Sequence, residues 1–226
     1  SGFVSPDKIT IDYILATEAG KQIRDKRELE KHWLSLASDR YAEVRRELVI
    51  DISDIEPQVT WGTRPSQSMP VSGTIPVPQD GADDKALAYM GLIPGEPIRG
   101  TSIDTNSRIS DLRIAAHVCR NQRIASHVVA YVVPGSESVK RQAEEEGLLD
   151  VFLDAGFEVR EPGCSMCVSV NREFVEPNHR CVSTSNRNFE HRQGPNARTH
   201  LCSPAVAAAS AIAGFIEDPR TLGIHL

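Results

Sequence analysis

Six consecutive apolar residues at positions 128–133, Val-Val-Ala-Tyr-Val-Val, limit what this chain can fold into more than any other feature of its sequence. The run ends at Pro134 and Gly135, and segments with helical spacing of apolar residues precede and follow it. A short, uninterrupted apolar run of this kind is typical of a strand that is buried on both faces. The pattern therefore predicts a parallel sheet with helices on both faces.

The same alternation of helices and short strands extends from residue 84 to residue 226. Apolar periodicity predicts helices at residues 85–90, 111–119, 138–146, 148–155 and 204–215, and strands at residues 128–133, 157–159 and 180–183. We therefore assign residues 84–226 to the α/β class, as a three-layer α/β/α domain with a mostly parallel sheet.

The part of the chain before residue 84 has a different character. Residues 61–83 are rich in proline and glycine, which predicts a linker between domains, with an ordered crossing loop as the alternative. Residues 1–60 are predicted to hold one helix that begins near Asp7, a second helix at residues 28–37 and a strand at residues 43–52. We expect a small mixed α/β segment here.

Charge and composition exclude several classes of function. The formal net charge is −6 and the chain has no basic tract, so a nucleic acid is not expected as a partner. No apolar run is long enough to cross a bilayer. We expect a soluble protein of the cytoplasm, or of an organellar matrix.

The cysteines fall into two groups. Their number is five, an odd count without the dense spacing of a secreted disulfide scaffold. Cys119, Cys181 and Cys202 are predicted to be small buried side chains. Cys164 and Cys167 stand three positions apart, a spacing that lets both sulfurs face one metal centre from a tight loop. Redox chemistry of the two thiols is one alternative, and a loop that carries them incidentally is another.

A second group of residues suits anion binding. Arg187 and Arg192 lie five positions apart, directly after Asn186. Guanidinium groups are the side chains best suited to bind carboxylates in a bidentate manner. Together with the cysteines, these residues suggest an acid that is bound at a metal.

Polar residues also follow the candidate strands, and they are Thr105, Ser136, Cys164 and Asn186. Ligands of parallel α/β sheets bind in the loops at the carboxyl ends of the strands. We therefore expect one site at that edge of the sheet, with Ser136 among its substrate-binding residues.

Several blocks of the sequence together resemble a known family. They are Gln58 to Thr63, Thr105 to Arg108, Val133 to Ser136, Pro162 to Cys167 and Ser183 to Arg192. In order and content they resemble the aconitase superfamily, and within it the large subunits of the 3-isopropylmalate dehydratases of leucine biosynthesis. The resemblance runs across nearly the whole chain and covers about the C-terminal half of such a subunit.

The resemblance implies a hydro-lyase or isomerase that acts on a small di- or tricarboxylic acid. In such enzymes three cysteines hold a 4Fe-4S cluster, which acts as a Lewis acid towards the substrate hydroxyl and carboxylate. By resemblance, Cys164 and Cys167 are two of those ligands, and Asn186, Arg187 and Arg192 bind the substrate. It also implies two partners: a small-subunit homologue and a complementary N-terminal half. The small segment at residues 1–60 would then be the remnant of a preceding domain.

Two positions depart from the family pattern. Asp104 stands where the family has its first cluster cysteine, and a carboxylate is a harder ligand for iron than a thiolate. His191 stands directly before Arg192, where the family usually has glycine. An imidazole there could fill vacated space or supply an acid or base near neutral pH.

Three hypotheses of function follow. The first is a diverged, truncated hydro-lyase of the aconitase type, with Cys164, Cys167 and Asp104 as metal ligands. The second is a cluster-free enzyme in which Arg187 and Arg192 hold a carboxylate while His191 or Asp104 moves protons. The third is a non-catalytic module, either a remnant that binds a partner subunit or a regulatory binder of a ligand. A zinc site at the two cysteines is a variant of the first and lacks an obvious second pair of ligands.

Overall fold

The computed structural model describes residues 4–39, 41–98, 103–164, 166, 169 and 173–223, and only the backbone for residues 103–107. The chain divides into two compact units, residues 1–53 and residues 54–226, which we call unit 1 and unit 2. None of the helices in these described ranges is long and apolar enough to cross a membrane.

Unit 1 holds three short helices: α1 (Lys8–Ala16), α2 (Glu18–Lys21) and α3 (Lys26–Leu34). Each begins with a side chain that caps a backbone N–H in its first turn, from Asp7, Thr17 and Asp25 respectively. The two predicted helices are present here as α1 and α3.

The strand predicted at residues 43–52 is wrong. All ten residues are described, and none of them belongs to a strand. Their apolar side chains stay in solvent, with Val49 exposed by 84% and Leu48 by 70%. A run of β-branched residues favours an extended backbone, but a strand forms only where a neighbouring strand supplies hydrogen bonds.

Unit 2 is built on a five-stranded sheet in the order β5-β4-β3-β6-β7. The strands are β3 (Ile103–Ser107), β4 (Ala130–Pro134), β5 (Glu158–Val159), β6 (Arg180–Ser183) and β7 (Arg198–Leu201), after a separate hairpin of β1 (Gln58–Thr60) and β2 (Ser68–Pro70). Every pair in the larger sheet is parallel. The predicted α/β class with a parallel sheet is confirmed.

Helices lie before, between and after the strands of the larger sheet. They are α4 (Gly81–Met90), α5 (Ile109–Cys119), α6 (Glu137–Glu145), α7 (Leu148–Ala155), α8 (Pro204–Ala213) and a final 3-10 helix (Pro219–Leu222). Helix α8 begins at a proline after the Ser203 cap, and its alanines are buried against α5 and β3. Small side chains allow this close helix packing.

The sheet buries side chains on both faces. Alternate residues of a strand point to opposite faces, and Val182 belongs to the large core beneath α5 and α8 while its neighbour Cys181 belongs to a second cluster. That second cluster also contains Met166, Val175 and Ala197. Loop residues therefore help to cover the second face, and the loops near the site are anchored in the core.

Residues 61–83, which the sequence predicts to be a linker, pack into unit 2. Trp61, Met69, Val71 and Ile75 are each less than 9% exposed and belong to its main core. The compact units divide between residues 53 and 54. This stretch is ordered despite its prolines and glycines, because apolar side chains at spaced positions anchor its backbone to the core.

Candidate active site at the carboxyl ends of the strands

The strand order creates a crevice next to β3. The chain passes from β3 to β4 and β5 on one side and then to β6 and β7 on the other. The loops after β3 and β6 consequently diverge, and ligands of open α/β sheets bind at such a switch point.

A cavity of about 560 Å3 lies at this crevice. Its lining comes from the loops, and the first turns of the helices, that follow β3 (Arg108, Asp111), β4 (Gly135, Ser136, Val139), β5 (Gly163, Cys164) and β6 (Thr184, Ser185, Asn186, Arg192). Three residues that the sequence predicts for substrate binding, Ser136, Asn186 and Arg192, are thus brought together with Cys164.

Arg192 is the buried cation of this cavity. Its side chain is only 8% exposed, and its Nη2 donates to Asn186 Oδ1 at 3.4 Å. Its guanidinium carbon lies 5.8 Å from the centre of the Phe189 ring. A cation held in this way, away from bulk water, attracts a carboxylate more strongly than an exposed one does.

The loop that carries Asn186 and Arg192 is held by buried amides. Asn188 Nδ2 donates to the carbonyl of Thr199 at 2.7 Å, and Gln193 Oε1 accepts from the Thr199 hydroxyl at 2.7 Å. Both amide side chains are buried. Their partners lie on β7, so the sheet itself fixes the path of the loop.

His191 lies outside the cavity lining. Its Nδ1 accepts from the backbone N–H of Asn196 at 2.9 Å, and its ring meets Tyr89 edge to face at 5.4 Å between centroids. The backbone N–H of His191 donates to the Tyr89 hydroxyl at 2.6 Å. The backbone of His191 is left-handed, with φ of 66°. The imidazole therefore packs against Tyr89 of α4 and does not face Arg192.

The remaining predicted site residues have different placements. Arg187 is exposed and is not among the cavity-lining residues. Asp104 lies in β3 opposite Tyr131 and Ser183, and its side chain is outside what the structure describes. Cys167 also lies outside the described residues.

Among the residues that the structure describes, Cys164 is the cysteine that lines the cavity. It is exposed and disulfide-bonded, whereas Cys119, Cys181 and Cys202 are free thiols. Of these, Cys119 and Cys181 are buried as predicted, and Cys202 is half-buried. Within the described part of the chain, no three His, Cys, Asp or Glu side chains come together as a metal-binding group.

Sequence reasoning missed Arg108 and Asp111 as residues of the site. The backbone N–H of Arg108 donates to Asp111 Oδ2 at 3.1 Å, and Arg108 Nε lies 3.5 Å from the same oxygen. Arg108 directly follows β3, so its place after a strand was a usable signal. Asp111 lies one turn into α5, where an acidic residue is also expected merely as a helix-capping group.

A buried histidine ties the first hairpin to the sheet beside this loop. His200 on β7 is fully buried, with Nδ1 2.7 Å from the carbonyl oxygen of Thr60 and Nε2 3.1 Å from Arg180 Nη1. Burial, and secondarily the Arg180 charge, lowers the pKa of His200 to about 3. The imidazole is therefore neutral, and the Gln58–Thr63 block that resembles the family supports the sheet edge.

Comparisons with known proteins show the family of this chain. The family model described as the aconitase family (aconitate hydratase) matches residues 1–214. The chain is also 51% identical over 235 aligned residues to "3-isopropylmalate dehydratase large subunit 1" of Bradyrhizobium diazoefficiens, an alignment that covers 98% of this chain and 49% of that relative. The chain thus spans about half the length of this curated relative. It belongs to the aconitase family.

Proposed function

We propose that this chain provides the carboxylate-binding and cluster-binding part of an aconitase-type hydro-lyase or isomerase. Its substrate class would be a small di- or tricarboxylic acid, as the name of the dehydratase relative suggests. One observation carries the proposal: Arg192, Asn186 and Cys164 line a single cavity at the switch point of the sheet. An anion-binding group and a metal-binding group therefore face the same space.

The cavity side chains can hold a substrate with two carboxylates. Arg192 would bind one of them through its buried guanidinium, with the Nδ2 of Asn186 as a second donor. Arg108 is a second cation of the lining and is exposed at the rim, so it would meet the other carboxylate. Ser136 adds a hydroxyl at the start of α6, whose dipole also favours an anion.

Two thiolates and one carboxylate would hold a 4Fe-4S cluster, and the carboxylate suits a sulfide-bridged cluster less well than a third thiolate does. Cys164 lies in the cavity wall, Cys167 follows in the same motif, and Asp104 would take the third position. When bound, such a cluster supplies a Lewis acid for the loss and return of hydroxide. The thiolate is the metal-binding form of cysteine, so the disulfide of Cys164 must be reduced before loading.

We propose different roles for the two candidate proton-moving residues. Asp104 lies in the strand next to the cavity loops, which supports a role as ligand or base. His191 would act indirectly, because its Nδ1 accepts from Asn196 and its ring packs on Tyr89. It would hold the loop that presents Arg192.

The test is iron and acid-labile sulfide content after purification without oxygen, reduction, and incubation with iron and sulfide. We expect a brown protein with roughly one cluster per chain. Cys164→Ala should lose both iron and sulfide, whereas Cys202→Ala, at a half-buried free thiol, should keep them. A full cluster in Cys164→Ala would disprove the ligand assignment.

A cluster-free carboxylate site is the second candidate. It is favoured by the position of Arg192 and Asn186, whose contact does not involve a cysteine, and by Asp104 in place of a thiolate. It predicts that 3-isopropylmalate, the compound in the relative's name, binds equally well with and without a chelator, as measured by calorimetry. Binding that survives in Cys164→Ala but fails in Arg192→Ala would select this candidate over the first.

The relative is a large subunit by name, which supports a small-subunit partner for this chain. Coelution of the chain with a dehydratase small subunit in size-exclusion chromatography tests that partnership. Separate elution at micromolar concentrations of both proteins would count against it.

A further inference from the structure

The hydroxyl of Tyr89 makes two hydrogen bonds to the loop that follows β6. It accepts from the backbone N–H of His191 at 2.6 Å and donates to the backbone carbonyl of Ala197 at 2.8 Å. Tyr89 stands on α4, 102 positions before His191 in the chain. Because a phenolic hydroxyl can both donate and accept, one oxygen bridges the two ends of residues 191–197.

The segment between these two ends is a tight turn with an unusual backbone. The backbone N–H of Asn196 donates to His191 Nδ1 at 2.9 Å, and that of Gly194 donates to the His191 carbonyl oxygen at 3.2 Å. His191 and Asn196 are left-handed, with φ of 66° and 57°. Residues other than glycine keep such a conformation only where contacts around them hold it. Tyr89 supplies two of those contacts.

Tyr89 is itself held in place. Arg198 Nε, on β7, donates to the Tyr89 carbonyl oxygen at 3.2 Å, so the sheet anchors the last turn of α4. The Tyr89 ring also meets the His191 imidazole edge to face. Burial raises the pKa of Tyr89, so the phenol is protonated at neutral pH and can donate to Ala197. A group that is fixed in this way can position the loop that it holds.

Arg192 is the residue that this contact directs. It directly follows His191, whose backbone N–H is bound by Tyr89. The two side chains diverge: the imidazole packs on α4, whereas Arg192 lines the cavity and is only 8% exposed. A rotation of the His191 backbone would swing Arg192 with it, because the φ and ψ angles of one residue set the direction of the next.

We propose that Tyr89 is a positioning residue of the carboxylate site. Its hydroxyl fixes the backbone at His191 and thereby keeps the Arg192 guanidinium in the cavity at the switch point of the sheet. The placement of Arg192 does not depend on which ligand binds. The effect on a carboxylate rests on the proposed function, in which Arg192 binds one end of the substrate.

Two variants separate positioning from general stability. Tyr89→Phe removes only the hydroxyl and keeps the ring that packs on His191. Ser210→Ala is the matched control, because the Ser210 hydroxyl in α8 has the same two functions: it donates to the Val206 carbonyl oxygen at 2.6 Å and accepts from the backbone N–H of Glu217 at 3.0 Å. Each variant loses one hydroxyl with two main-chain partners, so the two should lose similar stability in thermal unfolding.

Labelling with phenylglyoxal, a reagent for accessible guanidinium groups, tests the position of Arg192 without any ligand. The labelling rate is measured by mass spectrometry at Arg192 and at the exposed Arg187, which serves as the internal reference. Tyr89→Phe should speed the labelling of Arg192 by at least about fivefold, whereas Ser210→Ala should leave it unchanged. An unchanged rate at Arg192 in Tyr89→Phe, or an equal increase in Ser210→Ala, would overturn the proposal.

Calorimetry with 3-isopropylmalate tests the consequence for binding. Tyr89→Phe should weaken the Kd by about fivefold, and Ser210→Ala should not change it. In an Arg192→Lys background Tyr89→Phe should have little further effect, because both substitutions act through one contact. Additive losses would refute the claim that Tyr89 acts through Arg192. A parent chain that fails to bind 3-isopropylmalate would count against the proposed function, and the labelling would still decide whether Tyr89 positions Arg192.

Discussion

Replacement of His200 by glutamine should remove a pH dependence from the stability of unit 2. The imidazole is buried between the Thr60 carbonyl oxygen and Arg180 Nη1, at 2.7 and 3.1 Å. A guanidinium can only donate, so Nε2 accepts and the proton lies on Nδ1. Glutamine offers the same pair of functions, an oxygen acceptor and an N–H donor, but does not titrate.

The sign and size follow from the pKa of His200. Its value is lowered from 6.5 to about 3 in the folded protein, so the unfolded chain takes up the proton first as the pH falls. The stabilisation is complete above pH 6.5 and is lost below it by about 1.4 kcal/mol per pH unit, until the pH approaches the folded value. Between pH 6.5 and pH 5 the loss is about 2 kcal/mol. His200→Gln should lack this loss.

Urea unfolding at pH 7.5 and pH 5 measures the effect. Trp33 of unit 1 is replaced by phenylalanine, so that Trp61, which is 6% exposed, reports on unit 2. His117→Gln at an exposed histidine is the control and should keep the pH dependence of the parent. If His200→Gln destabilises on acidification as much as the parent does, the buried neutral imidazole is not the cause.

Three further predictions concern the loop after β6. His191→Gly should be about 1 kcal/mol more stable than His191→Ala in thermal unfolding. The left-handed backbone at φ of 66° is strained for alanine and not for glycine. Equal melting temperatures of the two variants would contradict this. On the proposed function, Arg192→Lys should weaken binding of 3-isopropylmalate, the compound in the relative's name, by about tenfold or more in calorimetry, and more than Arg187→Lys does, since Arg192 lies in the cavity. A larger loss of binding in Arg187→Lys would instead indicate that Arg187 binds the carboxylate. Gly194→Ala should cost at least about 2 kcal/mol in urea unfolding, because its φ is 145° and a Cβ would collide with the Val175 carbonyl; an unchanged midpoint would show that the loop can shift.

The position of the cavity could be predicted from the sequence. Ser136, Cys164 and Asn186 each follow a strand, and the carboxyl ends of parallel strands meet at one edge of a sheet. The structure brings all three into the same lining. Their roles towards a substrate or a cluster stay predictions.

The orientation of loop side chains could not be predicted in the same way. Arg187, His191 and Arg192 are close in sequence, yet only Arg192 lines the cavity. For His191 the cause is Tyr89 on α4, whose ring meets the imidazole and whose hydroxyl accepts from the backbone N–H of His191. No local pattern in the loop indicates a partner about a hundred positions away.

The failed strand at residues 43–52 has a related cause. Apolar, β-branched residues such as Val49 and Ile50 favour an extended backbone locally. Strand formation requires a second segment at hydrogen-bonding distance, and the described chain brings none to them. A strand needs both a local preference for an extended backbone and a neighbouring strand. The sequence pattern of residues 43–52 reports only the first of these conditions.

By itself the sequence determined the family, the α/β class and most of the helices of unit 2, because apolar periodicity and short motifs act within a few residues of one another. Only the tertiary structure decided that His200 is neutral, that Arg192 is buried in the cavity and that His191 is turned away from it. Those properties depend on groups that the fold brings together. Thr60 and Arg180, the two partners of His200, lie 140 and 20 positions away from it in the chain.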